Sequence, residues 1–137
     1  LVADGLDGTL VGIELVELVH ERTVALNDRV RRNGGSWKHG FYAEWTPTAV
    51  IGRLRDIVEK KDGKTFLGGP YSRRVLLVHT DEMTISHQQM EPALSGETFS
   101  TKQLTDAFLL FSYQPDPSRP GSGGRCPLIR LQVSRRG

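Results

Sequence analysis

The amino-acid sequence predicts an α/β domain, a mixed β-sheet flanked by helices. Three observations lead there. Two Asp-Gly dipeptides join apolar runs near the start, the signature of a hairpin. Val50, Ile51, Leu54, Ile57 and Val58 recur at helical spacing. The runs "RRVLLVHT", "DAFLLFSY" and "PLIRLQV" read as buried strands separated by turn and helix signals.

Taken in order, Leu1–Ala3 should end one strand, "ADGLDGT" should turn, and Leu10–Val19 should form the next strand. Alternation puts Gly12, Glu14, Val16 and Leu18 on one face of that strand, and Val11, Ile13, Leu15 and Glu17 on the other. Both faces are largely apolar, which predicts a strand inside the sheet. Thr23–Arg32 has helix-compatible spacing and stops at Asn33–Gly35, and a short strand is expected at Phe41–Glu44. The clearest helix starts at Thr46-Pro47, a capping Thr before a first-turn Pro, and ends with Lys60, Lys61 and Asp62-Gly63. A strand follows at about Arg74–Thr80. Ser86 caps a helix from His87 that Pro92 keeps short or kinks, and strands follow at Ala107–Tyr113 and Leu128–Val133.

The length of 137 residues predicts a single domain spanning 1–137, able to bury a core without disulfides. The chain begins at Leu1 inside an expected strand, so a further N-terminal portion of the domain is expected upstream. Cys126 is the one cysteine, which rules out an intrachain disulfide and a cysteine-rich zinc site and points to a reducing, cytoplasmic setting. No apolar run approaches the ~20 residues needed to span a bilayer, and the start does not read as a signal peptide.

The net charge of +2 decides little, but its distribution is uneven. Asp4, Asp7, Glu14, Glu17 and Glu21 crowd the first stretch, where no Lys or Arg occurs. Arg22, Arg29, Arg31, Arg32 and Lys38 follow, and five arginines lie in the last stretch. An acidic knot beside basic segments suits a metal next to phosphate, and it also suits an ordinary solvated surface. Glu14 raises the sharper question, since a carboxylate among apolar neighbours needs a cation, a metal or open solvent.

The text "GIELVEL" at Gly12–Leu18, "IVEKKDGKTF" at Ile57–Phe66 and "VLLVHTDE" at Val75–Glu82 resembles the PD-(D/E)XK nuclease superfamily, the restriction-endonuclease-like fold. Within it, the likeness is to uncharacterised bacterial members with a "GIE(V/I)TE" strand. The resemblance implies a hydrolase that uses Mg²⁺ or Mn²⁺ to cleave the phosphodiesters of nucleic acid, with DNA ahead of RNA. In that scheme an Asp of one strand and an acid of the next hold the metal, and a lysine two residues beyond the acid attends the attacking water.

Glu14 matches the acid. The lysine position falls on Val16, so the following helix must supply one: Lys60, Lys61 or Lys64, with Lys61 preferred. Asp7 is the candidate for the first-strand acid and second metal ligand. Alternatively, that acid lies upstream of Leu1, and Asp4 and Asp7 are turn formers. Glu17 is either a further acidic member of the site or a strand-end residue reaching water. Arg29, Arg31, Arg32 and Lys38 are expected to contact backbone phosphates, and a homodimer would suit cleavage of both strands. The rival reading is a non-catalytic module on the same fold that binds nucleic acid or protein.

Other residues carry weaker signals. His20, His39, His79 and His87 lack metal-ligand spacing, and His79, at a strand end, is the best placed. Trp37, Phe41, Tyr42 and Trp45 interleave with Lys38 and His39, as base-stacking residues do, or they anchor a long loop. "GSGG" at Gly121–Gly124 lacks the Lys-Ser/Thr of a phosphate loop, and no Gly-x-Ser-x-Gly elbow occurs.

Overall fold

The structure is a computed structural model. It describes residues 1–5, 8–19, 45–82, 84–112, 114–115 and 124–136. The expected helix at 23–32, the expected strand at 41–44, Trp37, His20 and His39 lie outside the described residues.

The elements are β1 (Val2–Asp4), β2 (Leu10–Glu17), α1 (Pro47–Asp62), β3 (Arg73–Thr80), α2 (His87–Ser95), β4 (Thr98–Thr101), β5 (Asp106–Phe111), β6 (Gln114–Pro115), β7 (Gly124–Arg125) and β8 (Leu128–Arg135). Six strands form a mixed sheet in the order β1-β2-β3-β5-β8-β4, and β6 pairs with β7 separately. The Asp-Gly turn joins β1 and β2 antiparallel, and Gly8 takes a positive φ of 78° there. Asp4, expected in the turn, is the last residue of β1, paired with Leu10.

Strands β2, β3 and β5 are parallel neighbours, and β8 joins β5 antiparallel. The chain steps from β2 to β3 to β5 in one direction across the sheet. Parallel crossovers are right-handed, so successive steps the same way put their helices on the same side. Burial agrees: Val50, Leu54, Ile57 and Val58 of α1 share one core with Met90 and Leu94 of α2 and with Leu76, Val78, Ala107, Leu109, Phe111, Ile129 and Leu131 of the sheet. The expected mixed α/β sheet with helices is present, and both described helices, α1 and α2, pack on one of its faces. The other face carries Val75, Leu77, Phe108 and Leu110, all half-buried, while Leu15 and Leu128 are each 49% exposed. Strand β2 does lie inside the sheet, as two apolar faces predicted, but neither described helix covers its second face.

Local signals explain the helices. Thr46 Oγ1 accepts the Ala49 amide at 3.1 Å, Pro47 opens α1, and Lys60 and Lys61 occupy its last turn. Ser86 caps α2 by accepting the Gln89 amide, and Pro92 falls inside a helix of nine residues. The expected strand start at Ala107 moves to Asp106, and the last strand runs on to Arg135. No described helix is long and apolar enough to cross a membrane.

Candidate functional site

Glu14 lies mid-strand in β2, opposite Leu76 of β3, and faces the helices with Gly12, Val16 and Leu18. Helix α1 runs back over this face, so its C-terminal turn comes down beside the first half of β2. Lys61 Nζ there donates to Glu14 Oε1 at 2.7 Å. The lysine side chain is 15% exposed and the glutamate 37%. Hydrogen bonding to Lys61 lowers the Glu14 carboxyl below its ordinary range against an opposing push from burial, and the charges of Lys61 and Lys64 add to the lowering. The same bond raises Lys61. Lys64 is lowered, chiefly by contact with the Lys61 ammonium beside it.

Gly12, two residues before Glu14 on the same face, lets the segment after α1 approach β2 closely. A Cβ there would stand 2.9 Å from Phe66 Cδ2 and 3.2 Å from the Tyr71 ring. The missing side chain thus makes room for two aromatic rings, packed edge-on with centroids 6.3 Å apart. Tyr71 donates its hydroxyl to the Leu67 carbonyl, which ties the segment between α1 and β3 to itself. Arg74 stands across from Gly12 on the same face, and its Nε is buried without a hydrogen-bond partner. Among the described residues, the Glu14 carboxylate thus feels the charges of Lys61 and Lys64, and the Phe66 and Tyr71 rings pack against Gly12, two residues before it.

The remaining expected residues separate. Val16, at the superfamily's lysine position, packs against the core. Glu17 is exposed on the opposite face, across from His79, so it does not join Glu14. Alternation along a regular strand is the reason. Lys60 is exposed at the end of α1. His87 stacks edge-on against Phe111 and sits 3.6 Å from Glu91. Trp45 packs partly against the core. Asp7, Arg29, Arg31, Arg32, Lys38, Phe41 and Tyr42 lie outside the described residues.

Glu14 suits one coordination position of a hard divalent cation, since Lys61 occupies only Oε1 and the carboxylate is accessible. Among the described residues, no three His, Cys, Asp or Glu side chains gather into a metal site. A second acid would have to come from elsewhere in the chain, Asp7 being the sequence candidate.

Two charged clusters escaped the sequence reading. Asp62, at the end of α1, is 5% exposed. It accepts the amides of Lys102 at 2.8 Å, Gln103 at 2.8 Å and Leu104 at 3.0 Å. Asp106 is gripped by Arg73 and Arg130 from the two flanking strands. Their signals were faint but present: an Asp immediately before a helix-stopping Gly, and a charged residue opening the apolar run "DAFLLF".

A scan against protein-family models, a search of curated proteins and a search of solved structures each return no match.

Proposed function

We propose that the protein is a metal-dependent nuclease that hydrolyses phosphodiester bonds of nucleic acid, with Glu14 and Lys61 at its centre. The observation that supports this is the 2.7 Å bond between a strand carboxylate and a lysine brought to it from the next helix. The resemblance asks for a lysine near that acid, and its usual position is filled by Val16. The lysine arriving from α1 fits that need.

In this reading Glu14 holds Mg²⁺ or Mn²⁺ together with a second acid, for which Asp7 stands as candidate. The metal would polarise the phosphate and stabilise the charge that builds during displacement. Lys61 keeps Glu14 ionised and holds its orientation. Its remaining ammonium protons can orient a water or an anionic oxygen next to the scissile phosphate. Lys64 and Arg74 add positive charge on the same side of the sheet, which favours a polyanionic substrate.

The test is a cleavage assay on single- and double-stranded DNA and RNA with Mg²⁺, Mn²⁺ or chelator. Wild type should cut with metal and stop on chelation. Glu14→Ala should lose about a hundredfold or more, and Lys61→Met roughly a hundredfold. Undiminished cleavage by Glu14→Ala would refute the site. Binding without cleavage at every metal concentration would favour a non-catalytic module on the same fold.

A further inference from the structure

We propose that the sheet face opposite the described helices binds single-stranded nucleic acid through Arg73, Arg130 and Phe108. This goes beyond the Glu14–Lys61 reading and does not rest on it, because the two sites lie on opposite faces of the sheet.

Asp106 opens β5 between β3 and β8, and its side chain is 3% exposed. Arg73 donates to it through Nε at 2.9 Å and Nη2 at 2.5 Å. Arg130 Nη2 donates at 3.1 Å, and Thr105 Oγ1 at 2.8 Å. One arginine would balance the buried charge. Two are present, and their side chains remain 53% and 71% exposed. The cluster therefore shows an uncompensated positive charge to solvent. Each guanidinium keeps N–H donors to spare, and Asp106 fixes both forks in place. Fixed planar forks suit phosphate oxygens.

The neighbours supply the rest of the chemistry. Phe108 is the cross-strand partner of Arg130 on this face and is half-buried, so part of its ring meets solvent. Leu77 lies beside it, and His79 and Leu110 continue the surface along the strands. Glu17 is the other acid on this face among the described residues, and it lies at the opposite end of the parallel strands. A sheet face bearing a partly accessible ring and flanking arginines can stack unpaired bases while the arginines take phosphates. A duplex hides its base faces and offers grooves fitted to a helix or a two-stranded ribbon, not to a broad sheet. The partner is therefore single-stranded.

The test is fluorescence anisotropy with labelled single strands of ~12 nucleotides, both DNA and RNA, against the matching duplex. Single strands should bind more tightly than duplex. Arg130→Gln should weaken binding roughly tenfold and make the salt dependence shallower by about one unit. Phe108→Ala should weaken it roughly tenfold and leave the salt slope unchanged. Arg130→Lys, which keeps the charge and guards against a folding defect, should retain the slope and lose a few-fold. Equal or tighter duplex binding, wild-type affinity in both Arg130→Gln and Phe108→Ala, or no single-strand binding at low salt would each overturn the proposal.

Discussion

Two carboxylates meet the end of α1 and are treated in opposite ways. Asp62 is buried and spends both oxygens on three backbone amides of the segment before β5. Glu14 is over a third exposed and uses one oxygen on one lysine. Burial pushes Asp62 up, yet the amides of Leu104, Lys102 and Gln103 and the charge of Arg136 outweigh it and hold the carboxyl below its ordinary range. Glu14 is also lowered, in its case foremost by Lys61. A saturated, buried carboxylate serves the fold. A carboxylate with an accessible oxygen and a single lysine partner keeps capacity for a further ligand. The two positions should therefore fail differently when changed.

The largest stability effect belongs to Asp62. Asp62→Ala strands three amides in a buried place and should cost about 3 kcal/mol, a fall in Tm of roughly 10 °C. The pH dependence follows from the direction of its shift. A carboxyl whose folded pKa is lowered stabilises fully above its unfolded value, near 3.8, and loses that contribution as pH falls through the folded value. Urea melts of wild type and Asp62→Asn should therefore differ most at neutral pH and converge as the pH drops below about 4. A gap that stayed constant with pH would break the contrast.

Gly12 comes next, because it makes room for the Phe66 and Tyr71 rings against β2. Gly12→Ala should cost about 1 kcal/mol, since Phe66 and Tyr71 must shift by a few tenths of an ångström. Tyrosine near-ultraviolet circular dichroism should change with it. A wild-type melt and an unchanged spectrum would mean that the rings do not depend on the missing side chain.

Much of this was legible in the chain. The Thr46-Pro47 start, the stripe of α1, the Asp-Gly hairpin and the runs forming β3 and β5 are local patterns, and each became the element expected. Strand β4 was not foreseen. It is four residues long and gains its order from pairing with β8, far along the chain. That both described helices pack on one face was hidden as well, because composition shows that a strand has two apolar faces but not what covers them. Glu14 stood out as a charge in an apolar strand, and Lys61 as a last-turn cation. Their meeting depends on how α1 lies over β2, which local spacing does not encode. The Asp106 cluster is invisible for a related reason, since its three members come from three strands joined only by sheet register.

The smallest stability effect should fall where the functional effect is greatest. Glu14→Gln keeps shape and polarity, and the pair it weakens lies near the surface, where ion pairs are worth little. Melts of this variant should stay within about 1 kcal/mol of wild type. The amide is a poor metal ligand and no longer balances Lys61, so under the proposed nuclease reading cleavage should collapse even though the fold is kept. If instead Glu14→Gln unfolds the protein as severely as Asp62→Ala does, then Glu14 is a second structural carboxylate. Its accessible oxygen would carry no functional meaning, and the contrast with Asp62 would vanish along with the proposed active site.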